Sequence, residues 1–237
     1  MNLEKYQQYS RIARGLEKAD LVLKDARIVN VFTEEIIRGD IAIQDGIIAG
    51  IGSFHGKEER DLAGRYVCPG FIDSHLHLES TLVTPAELVT AASRHGTTTF
   101  IVDPHESANV SGLAGIDYIL DQTEDVKANV YVMMPSCVPA TAIDDNGCTL
   151  TAEDMVPYLH NSRILGLGEV MDSISVVQGE KSMHDKLELF EGRIRDGHAP
   201  FLEEGDLHML WQGLLQTMSA ASLIMPCENG GTVLPFL

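Results

Sequence analysis

From residue 69 onward the chain alternates short apolar runs of strand length with longer segments of helical spacing, which restricts it to parallel α/β architectures. Strand-like runs end at His77 and cover 97–102, 129–134 and 164–170, with a fifth position near Gly197-His198. Helices are predicted over 84–94, 111–122, 151–160 and 182–195. Thr84 before Pro85 marks the start of the first, and Thr151 three residues before Asp154 marks the start of the third. Polar residues gather at the strand ends: His75 and His77, then Asp103, His105 and Glu106, then Ser136-Cys137, Glu169 and His198. A (β/α)8 TIM barrel places its chemistry at that end of its strands. A complete barrel takes about 250 residues. The pattern therefore predicts an α/β fold, a (β/α)8 TIM barrel truncated to about five β/α units.

The preceding segment follows a different grammar. Residues 4–18 read as a polar helix with apolar positions at Tyr6, Ile12 and Leu16, and β-rich runs separated by glycine turns follow from Ala19. Asp45-Gly46 between two such runs marks a hairpin. The expected organisation is a helix and small β-sandwich domain over 1–68, the first part of a barrel over 69–206, and a divergent tail over 207–237. Acidic residues outnumber basic ones 35 to 17, for a formal charge of -18, which argues against nucleic acid or an anionic membrane as partner. Four cysteines (Cys68, Cys137, Cys148, Cys227) without paired spacing suit a reduced, cytoplasmic protein. The N-terminus is expected to be too charged for a signal peptide, and no apolar run reaches membrane-spanning length.

His75 and His77 carry the sharpest chemical signal. Side chains alternate along a strand, so both imidazoles face one way and can share a metal ion. Two solvated histidines at a strand end are the bland alternative; nearby Asp73 and the downstream His and Glu positions favour metal. Asp73 is expected to orient a histidine rather than to ligate. Glu169 ends an apolar run, where an uncompensated carboxylate would be costly, so a metal or another cation must balance it. Taken alone, His198 fits a turn as well as a ligand. His105 and Glu106 point to a pocket role in substrate binding, proton transfer or a further metal site. His95, His160, His184 and His208 read as surface residues.

The strings PGFIDSHLHLEST, HGTTTFIVDPHESANVSG, GLGEVMD and DGHAP, in this order, resemble the bacterial adenine deaminase family of the amidohydrolase superfamily. The resemblance runs from about Ala19 to about Asp206. It implies a binuclear metal pair, with His75 and His77 on one ion, Glu169 bridging and His198 on the second. Asp103, His105 and Glu106 would lie beside the pocket. The implied reaction is hydrolysis of adenine to hypoxanthine and ammonia, in purine salvage. A donor set of histidine and carboxylate without thiolate suits manganese or iron, and a homo-oligomer is expected of the full-length family member. Two other readings are a different amidohydrolase, such as a dihydroorotase-like enzyme or an N-acyl-amino-acid deacetylase, and a non-catalytic metal-binding remnant.

After about Asp206 the resemblance stops, and the tail lacks the strand–helix grammar. Shifting the codons permitted for His208 through Ala220 by two nucleotides allows Tyr-Ala-Leu-Ala-Gly-Ile-Ala-Thr-Asp-His-Glu-Cys, which resembles the family's sixth-strand segment. The tail is accordingly expected to be a frameshifted end, against the alternative of a genuine divergent tail. Without the later strands the 237-residue chain is expected to fold poorly, to expose an edge strand and to be catalytically inactive.

Overall fold

The computed structural model describes residues 2–141 and 143–198, together with the backbone of 217–218. Apart from that backbone, the tail and its proposed frameshift lie outside the described residues. The chain divides into two compact units, Met1–Pro69 and Gly70–Leu237.

The first unit opens with helix α1 (Leu3–Ala13), where the Asn2 side chain accepts the Lys5 N–H at 2.9 Å. The helix is shorter than predicted because Gly15 turns the chain at φ +70°. Of the three expected apolar positions Ile12 is buried, whereas Tyr6 and Leu16 stay exposed. Strands β1 (Ala19–Asn30), β2 (Glu35–Gln44), β3 (Ile47–Gly52), β4 (Gly56–Asp61) and β5 (Tyr66–Val67) follow. They form one sheet in the order β3-β2-β1-β4, with β5 also on β1. Asp45 and Gly46 both take positive φ (51° and 75°), as the twist-matched two-residue hairpin turn requires, and join β2 to β3. Ile12 packs with Ala19, Val22 and Ala42. Among the described residues this unit is a single sheet backed by a helix.

The second unit carries strands β6 (Phe71–Leu76), β7 (Thr97–Val102), β8 (Asn129–Pro135), β9 (Ile164–Val170), β10 (Ile194–Gly197) and the two-residue β11 (Thr217–Met218). They lie in sequence order and every neighbouring pair is parallel. Four strand spacings separate β6 from β10, about 19 Å in a flat sheet. Yet the rings of His75 on β6 and His198 after β10 have centroids only 6.2 Å apart. The sheet is therefore strongly curled, and the two side chains point into its concave end, as in part of a barrel. Strand β6 ends the sheet among the described residues, with Phe71 and Ile72 exposed.

The helices are α2 (Pro85–Ser93), α3 (His105–Ser111), α4 (Leu113–Gln122), α5 (Ala152–Met155), α6 (Ser173–Gln178) and α7 (Lys181–Leu189). Their buried faces, including Val89, Ile116, Ile119 and Leu187, pack with Phe100, Val132 and Leu167 of the strands. No described helix is long and apolar enough to cross a membrane. Two departures from the expected pattern have local causes. Helix α7 stops at Leu189, with Phe190 as cap and Gly192 at φ +77°, which frees 194–197 to form β10. The segment expected as one helix over 151–160 becomes α5 followed by a 3-10 turn, Val156–His160. Pro157, at the start of that turn, has no N–H to continue an α-helical ladder.

The Thr151–Asp154 capping box is formed in both directions. Replacing Thr151 by alanine should cost about 1 kcal/mol. Urea unfolding checks this: the midpoint should fall while the slope stays constant.

Candidate metal centre

Four imidazoles converge on one carboxylate. Glu169 Oε1 lies 3.1 Å from His75 Nε2, 3.2 Å from His77 Nε2 and 3.1 Å from His198 Nε2, while Oε2 lies 3.1 Å from His105 Nδ1. The contributing positions are β6 and the residue just after it, the start of α3, the end of β9 and the residue after β10. His75 and His77 are brought together as the alternation predicts, with their Nε2 atoms 3.3 Å apart. Glu169 takes φ +38°, a left-handed backbone rarely adopted by a residue with a side chain. Ser136 holds this bend, donating from Oγ to the Glu169 carbonyl at 2.8 Å and from its N–H to the Gly168 carbonyl at 3.1 Å. His198 is anchored through its N–H on the Val170 carbonyl at 3.0 Å.

His105 is buried, and its two ring nitrogens have different tasks. Nε2 accepts the Cys137 N–H at 3.3 Å, which leaves the proton on Nδ1. That Nδ1 sits 2.6 Å from Asp103 Oδ1 as well as beside Glu169, so the N–H is shared between two carboxylates. Asp103 is fully buried, and burial pushes its carboxyl up against the pull of His105. Its other oxygen, Oδ2, has no hydrogen-bond partner among the described residues.

The local field is strongly anionic. Burial by itself would raise Glu169, but the hydrogen bonds from His105, His198, His75 and His77 outweigh it and hold the carboxyl far below the ordinary range. His75 is pushed up to about 10, first by Asp196 and then by Glu169, and His77 to about 9 by Glu169. A field that retains protons on imidazoles also favours a divalent cation in their place. The spacing fits one. His75 Nε2, His77 Nε2 and Glu169 Oε1 form a triangle with sides of 3.1, 3.2 and 3.3 Å. Ligands 2.0–2.1 Å from a tetrahedral ion are separated by about 3.3 Å. His77, Glu79 and Glu106 form a second cluster of potential donors, and Asp103, His105 and Glu169 a third. The direction of the His105 proton assigns that last group to hydrogen bonding.

His75, His77, Asp103, His105, Glu106, Glu169 and His198 are placed in or beside this cluster, with differences of detail. Of the histidines read as surface residues, His95 and His160 are exposed, His184 is half-buried with Nε2 3.0 Å from the Val176 carbonyl, and His208 lies outside the described residues. Glu106 is largely exposed and accepts from Ser80 Oγ at 2.9 Å, with its other oxygen 3.2 Å from His77 Nδ1. Asp73 meets only the His75 backbone, accepting its N–H at 3.4 Å. The carboxylate facing the His75 ring is Asp196, 3.6 Å from Nδ1, which corrects the expected role of Asp73. Sequence reasoning missed Asp196, which fell between the helix predicted over 182–195 and the strand position near Gly197-His198. It also missed Glu79, which accepts the Ser107 N–H at 3.1 Å and whose carboxyl is raised by burial.

Comparison with known proteins agrees with this architecture. The profile described as "Amidohydrolase family" matches residues 66–199. The adenine deaminase of Desulfitobacterium hafniense (strain Y51) is 56% identical over 207 residues, covering 87% of this chain and 36% of that protein. Adenine deaminase 2 of Carboxydothermus hydrogenoformans is 48% identical over 196 residues, covering 83% of this chain and 34% of that protein. The chain thus spans about a third of the length of the curated relatives it matches. Among solved structures, a zinc-bound N-acyl-D-glutamate deacylase from Bordetella bronchiseptica superposes with TM-score 0.54 at 16% identity, covering 85% of this chain and 51% of that one. A zinc-bound atrazine chlorohydrolase from Arthrobacter aurescens TC1 gives TM-score 0.53, also at 16% identity, covering 82% and 57%. At that identity the likeness speaks for the fold.

Proposed function

This chain belongs to the amidohydrolase family, and on that premise we propose that it is the N-terminal part of an adenine deaminase, which hydrolyses adenine to hypoxanthine and ammonia. The observation that carries the reading is Glu169, a single carboxylate contacted on both oxygens by four imidazoles, in a chain 56% identical to an adenine deaminase. His75, His77, Glu169 and His198 are the proposed metal ligands. The ion is manganese or iron, in a binuclear centre whose remaining ligands belong to later strands. The enzyme is cytoplasmic, serves purine salvage and as a full-length protein forms homo-oligomers. Residues 1–68 are the first portion of a β-sandwich that later segments complete, 69–206 begin the barrel, and 207–237 are a frameshifted end.

A bound divalent ion supplies a nucleophile at neutral pH by lowering the pKa of a water it holds from 15.7 to about 7. The protein's own groups do the rest. Glu169 gathers the three Nε2 donors and balances the charge of the site. His105 keeps its Nδ1 proton on Asp103 and Glu169, so that both carboxylates stay oriented. Glu106, exposed beside His77, has the freedom to accept a proton and return it to the ring nitrogen and departing amine of a purine.

An ammonia-release assay on adenine tests this directly. The 237-residue chain should release none, while a chain continued through the shifted frame and loaded with Mn2+ should release ammonia. A continued, metal-loaded chain that leaves adenine untouched would overturn the assignment.

A further inference from the structure

We propose that Lys186 is a positioning residue of this centre, acting through one peptide unit to hold the His105 ring in place and Glu169 in its bent backbone. Lys186 lies on α7, 50 residues after the Ser136 it contacts, and only 7% of it is exposed. A lysine on an outer helix ordinarily carries its ammonium to water. Here Nζ turns inward and donates to the Ser136 carbonyl at 2.6 Å. Among the described residues no carboxylate lies within ion-pair distance of it, and burial draws the ammonium below the ordinary lysine range.

The Ser136 carbonyl and the Cys137 N–H belong to the same peptide group. The Lys186 cation polarises that group at its oxygen, and the N–H at the other end donates to His105 Nε2 at 3.3 Å. Hydrogen bonds in series strengthen one another in a low-dielectric interior. The series runs from Lys186 through the peptide to His105 Nε2, and from His105 Nδ1 to Asp103 and Glu169. Fixing the acceptor role of Nε2 fixes Nδ1 as the donor. The same Ser136 clamps the Gly168 and Glu169 carbonyls, so the seat under Ser136 also supports the +38° turn at Glu169. A buried cation at this spot has a task that surface packing does not give it.

The effect on metal retention rests on the metal reading above; the effect on the Ser136–Cys137 peptide does not. The test uses the 237-residue chain labelled with nitrogen-15 and carbon-13, without added metal and then titrated with MnCl2. In the parent, the Cys137 amide proton should be protected from exchange by its bond to His105. In Lys186→Met, near in length but without a donor, that amide should exchange about 10-fold faster, as for a weakened hydrogen bond. The Mn2+ dissociation constant should rise about 10- to 100-fold, as for loss of an outer-shell partner. Lys186→Arg, which keeps a cationic donor, should restore both readouts. A Lys186→Met chain that folds, keeps the parental Cys137 exchange rate and binds Mn2+ within about twofold of the parent overturns the proposal. If Lys186→Met does not fold, the parent decides: a coupling across the hydrogen bond between the Lys186 nitrogen and the Ser136 carbonyl carbon supports the seat, and its absence refutes it. A parent that binds no Mn2+ removes the metal reading, while the Cys137 amide still decides the role of Lys186.

Discussion

A chain carrying Glu169→Ala should lose divalent metal during dialysis that leaves the parent loaded. Its affinity should fall by more than the ~10- to 100-fold typical of outer-shell losses, because a donor and the organising charge go together. The same change should release the field on the imidazoles. His77, held at about 9 mainly by Glu169, should fall further than His75, which stands at about 10 with Asp196 as its first support. Nuclear magnetic resonance titration of the ring protons of metal-free protein checks both. No fall at either ring would mean that Glu169 does not organise the cluster. Glu169→Gly adds a second comparison: it removes the same carboxylate but accepts the +38° backbone without strain. It should unfold at higher urea than Glu169→Ala, by about 1 kcal/mol.

Gly166→Ala should be the most damaging single methyl in the sheet. A Cβ built on Gly166 would stand 1.9 Å from the Ile194 carbonyl oxygen and 2.7 Å from its carbon. Both are backbone atoms of the neighbouring strand, in register with Gly166, so no side-chain rotation relieves the clash. Strands β9 and β10 must part, and His198 leaves with β10. The expected cost is about 3 kcal/mol or more, at the upper end for overpacking. Urea unfolding measures the loss, and metal affinity should drop with it. A variant with parental midpoint and parental metal binding would show that β9 and β10 are not paired as described.

The strands were legible because their signals are local. Runs 97–102 and 164–170 agree with β7 and β9 as observed, and the polar residues at their ends meet as a barrel-type arrangement requires. Helices α3 and α6 were not legible, since at seven and six residues they are too short to show an apolar period. That His75, His77, Glu169 and His198 meet could be read from motif and resemblance. The proton on His105 could not, because it is set by the N–H of Cys137, 32 residues away in sequence. Asp196 stayed hidden for a related reason: its nearness to His75 depends on the curl that brings β10 back toward β6. Contacts across the concave face are properties of closure, and no window of sequence contains them.

The curl also sets a clock. His77 leaves the ribosome 92 residues before Glu169, a wait of roughly 5–18 s at synthesis rates of ~5–20 residues per second. His198 follows Glu169 by a further 29 residues. During that interval the first two imidazoles are an open pair, able to exchange any ion they meet with the surrounding solution. For the proposed ligands, retention would begin only when β9 has docked and β10 has turned its histidine inward. Metal choice would then be made late, by a sheet already curled through β10 and by whichever ion is abundant at that moment, rather than by the histidine pair that emerges first.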